Sequence, residues 1–249
     1  MRPEVVWITG ASAGLGKALV ETYVQDGATV AATARPSEAL DALVAAHPGK
    51  VVAFPADITD AAAIGDAVMR IETEVGPIRL AILNAGTHQP VKGAAFKADE
   101  LDRLVQINLI GTAHCLEAVL QPMLRRRQGQ IAVVSSVAGY TGLPTSAYYG
   151  ATKAALFNMC ESLKFDFDRE GIDLRVISPG FVRTPLTDKN DFPMPFLMEP
   201  DAAARRVVAG LRGRRFEVTF PRRFTYGLKL LRILPYALYF ALLRRTVRP

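Results

Sequence analysis

VVWITGASAGLG, residues 5–16, decides the fold. A short run of apolar and β-branched residues, Val5 to Thr9, passes straight into Gly10, Gly14 and Gly16, and the helical pattern KALVETYVQDG follows. Glycines at such a junction let the chain turn tightly and bring backbone N–H groups up to a pyrophosphate. The helix N-terminus behind them adds partial positive charge. The spacing is G-x-x-x-G-x-G rather than the commoner G-x-G-x-x-G. Alone it also fits a glycine-rich turn packed for its own sake.

Outward from that junction the chain alternates between strand and helix. Strand-like runs fall at 5–9, 28–33, 51–54, 79–83, 130–135, 174–178 and 216–220, with helical patterns between most of them. They are apolar on both faces, as strands of a parallel sheet covered by helices on both sides must be. The expected fold class is α/β: a doubly wound, parallel, seven-stranded sheet with helices on both faces. Its ligand crevice should lie at the strand carboxyl ends. Residues 1–221 read as one catalytic domain and 222–249 as a basic, apolar C-terminal extension rather than a second domain.

After the second strand, a site that holds a free ribose 2′-hydroxyl usually presents an acid. Ala34 stands at that place and Arg35 follows. A guanidinium there suits a 2′-phosphate, so the expected cofactor is NADP(H) in preference to NAD(H). Ala13, before Gly14, supplies no second basic contact.

Composition narrows the class. The 249 residues are 50% apolar and 22% charged, which excludes a disordered chain. The two cysteines, Cys115 and Cys160, lie in apolar helical contexts without bridge or zinc spacing, as in a reducing, cytoplasmic compartment. MRPEVVWITG runs directly into a strand, so no secretory leader is expected. Net charge is +6, yet seven basic residues and no acidic ones follow position 217. The body carries 23 basic against 24 acidic residues, which argues against a nucleic-acid partner.

SAYYGATKAALFNMCESL, residues 146–163, places Leu156, Met159, Leu163 and Phe167 at helical spacing. Tyr149 and Lys153 are then i and i+4 on one face, whereas Tyr148 pairs with Thr152. A phenol near pKa 10 is a poor acid–base group at neutrality, and lowering it by about three units takes roughly 4 kcal/mol from a neighbouring ammonium. Ser136 lies 13 residues earlier, at a strand's carboxyl end, and Asn108 lies inside an apolar helix where an amide needs partners. Each also has a plain reading: a chance pair, a turn hydroxyl, a satisfied core amide. The three histidines, His47, His88 and His114, are scattered and read as surface or packing residues, and no metal site is expected.

Taken together, these motifs resemble the short-chain dehydrogenase/reductase family over about residues 4–220. TGASAGLG resembles its cofactor loop, with Gly10, Ser12, Gly14, Leu15 and Gly16. Asp57 and Ile58 match its adenine contact, and Asn84, Ala85 and Gly86 its NAG motif. Asn108, Ser136, Tyr149 and Lys153 match its catalytic tetrad, and SPGFVRTP, with Pro179, Gly180, Val182 and Thr184, the segment beside the nicotinamide. The resemblance implies a Rossmann-like sheet, NAD(P)(H), and reversible hydride transfer between a carbonyl and an alcohol. It implies Tyr149 as the acid or base and Lys153 on the tyrosine and the nicotinamide ribose. Ser136 would sit on the substrate oxygen, and Asn108 would order a relay water. It also implies a homodimer or homotetramer through helices near 100–123 and 147–170. A non-catalytic nucleotide sensor is the alternative on this fold.

The apolar loop DFPMPFLMEP, residues 191–200, suits a lid over an apolar substrate, lipid- or steroid-like, or simply packs on the body. The tail, PRRFTYGLKLLRILPYALYFALLRRTVRP, brackets leucines and aromatics with arginines. Three readings stay open for it: peripheral contact with an anionic membrane, packing on another subunit or over the pocket, and a partly frayed end.

Overall fold

The computed structural model describes residues 4–246, so Arg248 of the basic tail lies outside the described residues. Seven strands are present: β1 (Val5–Thr9), β2 (Thr29–Thr33), β3 (Val51–Ala53), β4 (Leu80–Leu83), β5 (Gly129–Val134), β6 (Ile172–Pro179) and β7 (Glu217–Phe220). Each lies within two residues of the run expected from sequence. They form one sheet in the order β3-β2-β1-β4-β5-β6-β7, with every pairing parallel. The order reverses between β1 and β4, which opens a crevice at their carboxyl ends.

Side-chain alternation divides the core into two layers. Val6 and Ile8 of β1 enter one layer, with α1 (Gly14–Gln25), α2 (Glu38–Ala46) and α7 (Pro200–Leu211). Val5 and Trp7 enter the other, with α3 (Ala61–Arg70), α5 (Gly111–Arg126) and α6 (Ala147–Arg169). The indole N–H of Trp7 donates to Thr33 Oγ1 at 2.9 Å, so the largest buried side chain leaves no polar atom orphaned.

One element differs from the sequence reading, and one left open there takes definite form. The helix expected around Asn108 is not regular: α4 (Ala98–Val105) passes into α5 through one π-helical turn, Gln106–Ile110. There the Gly111 N–H reaches back to the Gln106 carbonyl, five residues away. The tail is not frayed over its described residues. It forms α8 (Arg222–Arg232) and α9 (Tyr236–Thr246), whose inner side chains Thr225, Leu228 and Tyr239 are buried. Among the described residues no helix is long and apolar enough to cross a membrane.

Candidate active site

The glycine junction is tight. Gly10 and Gly14 adopt φ of +66° and +52°, conformations that suit glycine. A Cβ on Gly16 would lie 2.0 Å from the Gly10 carbonyl, so only glycine lets α1 start this close to β1. The Ser37 and Asp60 side chains cap α2 and α3, whereas α1 begins after Ala13, which has no capping side chain. The first N–H groups of α1 are therefore left for an anion in the crevice.

The strand ends on either side of the crevice are clamped together. Asn84 donates its side-chain amide to the carbonyls of Thr9 (3.0 Å) and Gly10 (3.3 Å). The backbone N–H groups of Asn84 and Ala85 both donate to Thr9 Oγ1. A Cβ on Gly86 would lie 3.1 Å from Asn108 Oδ1 and 3.6 Å from Lys153 Nζ. Along the far rim, Asp57 Oδ1 accepts from the Thr59 N–H and hydroxyl. Those two bonds hold the Asp57 carboxyl below its ordinary range, and the nearby Arg35 guanidinium helps. Ile58 packs against Gly111, where a Cβ would clash at 2.7 Å.

The π-turn turns Asn108 fully inward. Its side-chain amide donates to the Thr87 carbonyl (2.9 Å) and Thr152 Oγ1 (3.1 Å), and its oxygen accepts from the Thr87 N–H (2.7 Å). Ser136 follows β5 and caps a short turn, its oxygen accepting from the Ala138 N–H. That turn presses onto α6 closely enough that a Cβ on Gly139 would lie 2.8 Å from the Lys153 backbone. Ser135, beneath it, donates its hydroxyl to the Lys153 carbonyl at 2.8 Å.

On α6 the two adjacent tyrosines make different polar contacts. Tyr148 is buried with Val91 and Leu104 and accepts from the Lys97 N–H, while Tyr149 faces the crevice with Ser136 and His88. Lys153 is 3% exposed; its Nζ donates to the Val134 carbonyl at 2.8 Å and lies 5.5 Å from the Tyr149 ring centroid. Burial pushes the Tyr149 phenol up to about 12, with the Ser136 hydroxyl pulling the other way. Burial pushes the Lys153 ammonium down to about 8. The expected lowering of the tyrosine by the lysine is thus outweighed in the protein itself: both groups lose solvent, and the ammonium lies against the ring face.

Pro179 and Gly180 close β6, and the segment beyond returns to the glycine loop, where Thr184 Cγ2 would meet a Cβ on Gly14 at 2.8 Å. Val182 bridges to Met198, which ties the apolar loop down at its far end. Within that loop Phe192 packs on Phe181, and Phe196 on Phe224 of α8. Ser12 and Leu15 lie within the loop-to-α1 turn, Leu15 buried.

His88, expected as a surface or packing residue, packs at the site itself. Its ring stands edge-on to Tyr149 with centroids 4.8 Å apart, and Nε2 meets Asn190 Oδ1 at 3.1 Å. Nδ1 is buried without a hydrogen-bond partner among the described residues, and burial pushes the ring's pKa down. Its place two residues beyond the NAG motif, in the loop that leaves β4, was the available signal. Thr9, Thr87, Ser135 and Thr152 also join the site, which sequence reasoning did not anticipate. Thr9, Thr87 and Ser135 act through bonds to the backbone and Thr152 through the Asn108 amide, contacts that carry no sequence pattern.

Comparison with known proteins is consistent with this geometry. The family model for short chain dehydrogenases matches residues 4–193. An uncharacterized oxidoreductase of Myxococcus xanthus is 35% identical over 96% of this chain and 95% of its own length. The 3-oxoacyl-(acyl-carrier-protein) reductase FabG of Thermotoga maritima is 33% identical over 75% of this chain and 77% of its own. A short-chain dehydrogenase structure from Streptomyces avermitilis superposes with a TM-score of 0.81 at 27% identity, covering 91% of each chain. The closed form of a serine dehydrogenase, solved with NADP+, superposes at 0.80 with 23% identity over 87% of this chain and 94% of its own, a likeness of fold.

Proposed function

The chain belongs to the short-chain dehydrogenase family of oxidoreductases, and on that premise we propose that it reduces the carbonyl of an apolar substrate with NADP(H). The observation that carries this reading is the convergence of Asn108, Ser136, Tyr149 and Lys153 beside the glycine cradle. When bound, the nicotinamide supplies or accepts the hydride.

The residues fit such a cofactor. Gly10, Ser12, Gly14, Leu15 and Gly16 would hold its pyrophosphate at the uncapped start of α1. Arg35 would meet the 2′-phosphate, and Asp57 and Ile58 the adenine. Asn84, Ala85 and Gly86 would line the floor, and Pro179, Gly180, Val182 and Thr184 would flank the nicotinamide. Lys153 would hold the ribose as well as face Tyr149.

In the reducing direction Tyr149 donates its phenolic proton to the carbonyl oxygen. Burial keeps that phenol protonated across the physiological range, the state in which a reduction starts. Ser136 donates to the same oxygen and steadies the charge that develops there. Lys153, charged below pH about 8, favours the phenolate left behind. Asn108 fixes Thr87 and Thr152 and keeps the floor beneath Lys153 in register. A nucleotide sensor needs the glycine cradle alone and gives this group of four no use.

The loop reaches the site where Asn190 meets His88, and its Phe192, Phe196 and Met198 suit an apolar, lipid- or steroid-like carbonyl compound. Assembly as a homodimer or homotetramer through the helices near 100–123 (α4 and α5) and 147–170 (α6) gives a partner to Phe165, 73% exposed on α6.

Two experiments test the reading. Tyr149→Phe should keep the Kd for NADPH and lower turnover about 10²- to 10⁴-fold on a graded series of ketones. Turnover equal to wild type would refute the assignment. Arg35→Ala should raise the KM for NADPH about 10- to 100-fold and leave NADH unchanged, as loss of one charge-assisted bond requires. Equal loss with both cofactors would remove the 2′-phosphate role.

A further inference from the structure

The two helices after the last strand carry most of the molecule's exposed large apolar side chains. Of eleven such side chains among the described residues, seven lie between Tyr226 and Leu242. Ile233 and Tyr236, at the turn between α8 and α9, are 75% and 79% exposed. No charged residue occurs between Arg232 and Arg244. A monomer rarely leaves so contiguous an apolar surface in water without a use for it.

The way α9 is apolar says what covers it. At about 100° per residue, Tyr239 and Leu243 share one side, and Tyr239 is the buried one. Phe240, Ala237, Ala241, Leu238 and Leu242 then sweep across the rest of the circumference, an arc of roughly 200°. A packed protein partner covers a stripe of about 100°. A helix whose outer arc is apolar through its first two turns and carries Arg244 only at its last is satisfied by sinking that length into a continuous apolar phase.

Charge selects which phase. Arg222, Arg223, Arg232 and Arg244 have no ion-pair partner among the described residues, and only Lys229 is neutralised, by Glu217. No acidic residue follows Glu217. A second copy related by a two-fold axis would set these cations against themselves. Anionic headgroups would sit level with them while the helices between enter the acyl boundary.

We propose that α8 and α9 dock this protein on an anionic lipid surface. The docked face adjoins the crevice. Tyr239 Oη donates to the Gly142 carbonyl in the loop between Ser136 and Tyr149, and the Phe224 ring lies 5.7 Å from Phe181 and 6.0 Å from Phe196. A cleft of about 850 Å³ lies between the 140–144 loop and α9, lined by Leu143, Pro144, Leu234 and Phe240 with Arg232 and Arg244 among them. The helices thus hold the site's rim at the lipid surface. The docking stands independently of the NADP(H) reading, because binding is measured without turnover.

The test is flotation of the full chain with vesicles of phosphatidylcholine alone and of phosphatidylcholine mixed with phosphatidylglycerol, at low and high salt. The chain should float with the anionic vesicles, stay behind with the neutral ones, and be released by salt. Arg222→Gln with Arg223→Gln should lower the partition coefficient about 25-fold, about fivefold for each cation removed. Leu238→Asp with Leu242→Asp should lower it more than tenfold while NADPH affinity and the mass by light scattering stay unchanged. If the aspartate variant fails to bind NADPH, the arginine pair carries the test. Absence of flotation, flotation indifferent to lipid charge, or an aspartate variant that loses oligomer mass instead of lipid would each overturn the proposal. The last would assign the face to a second copy.

Discussion

Lys153 is a cation with one neutral acceptor, the Val134 carbonyl, and almost no solvent. Its pKa stands near 8 in the fold, against 10.5 in water. Between those values the unfolded chain binds more protons than the folded one, so this residue makes stability rise with pH from about 8 to about 10.5. Below pH 8 its buried charge costs on the order of 3 kcal/mol. Lys153→Met should remove that slope. The unfolding free energy of wild type minus variant should climb by about that amount across the window, read from urea titrations at pH 7, 8, 9 and 10. Parallel pH profiles would show that the lysine is solvated after all. That the fold tolerates this cost fits a lysine kept for chemistry. The choice between Tyr148 and Tyr149 was legible from i,i+4 spacing alone, because a helix fixes which residues share a face. For His88 the only signal was its place just beyond the NAG motif, because it meets Tyr149 through the course of a loop, which has no period.

At the scale of elements, the crevice depends on β1 and β4 ending together. Regular pairing between them stops at Ile8 and Ile82, and the Asn84 amide then takes over by holding the Thr9 and Gly10 carbonyls. Asn84→Ala would strip both acceptors at a place shielded from water. A loss of about 2–3 kcal/mol in unfolding free energy is expected, with weaker NADPH binding because the glycine loop is no longer braced. Equilibrium urea unfolding and a fluorescence titration check the two effects, and an unchanged midpoint would show that the Thr9 hydroxyl alone suffices. All seven strands were readable because doubly buried strands are continuous apolar runs. The π-turn at Gln106–Ile110 was not, since the residues QINLI carry the same helical pattern as their flanks. The widened turn is what brings Asn108 round to Thr87 and Thr152, a device that only coordinates reveal.

On the scale of the whole molecule, the body and the last two helices are distinct in charge yet joined in packing. The asymmetry of charge was legible by counting, but the seating of α8 and α9 was not, because most of it depends on partners in the 137–142 segment, far earlier in the chain. Leu228 shares a cluster with Val137 and Tyr140, and Phe224 and Leu231 close over it. Lys229 pairs with Glu217, which also accepts from the Tyr140 hydroxyl, and Tyr239 holds Gly142. Most of these contacts fall on the segment that runs from Ser136 to Tyr149, so the two helices brace that side of the site. Ending the chain after Pro221 would expose Val137, Tyr140 and Phe181 and leave Glu217 without its cation. Burial of three or four large side chains is worth on the order of 5 kcal/mol. For a chain of this size that is a fall in Tm of about 10 °C or more by scanning calorimetry. The shortened protein should also lose turnover, because the loop carrying Ser136 is freed on one side, and bind NADPH more weakly, because Phe224 no longer packs beside Gly180. A shortened chain that melts within about 2 °C of the full one would mean that α8 and α9 rest on the body without stabilising it. Their buried inner faces would then contribute no more than their exposed outer ones.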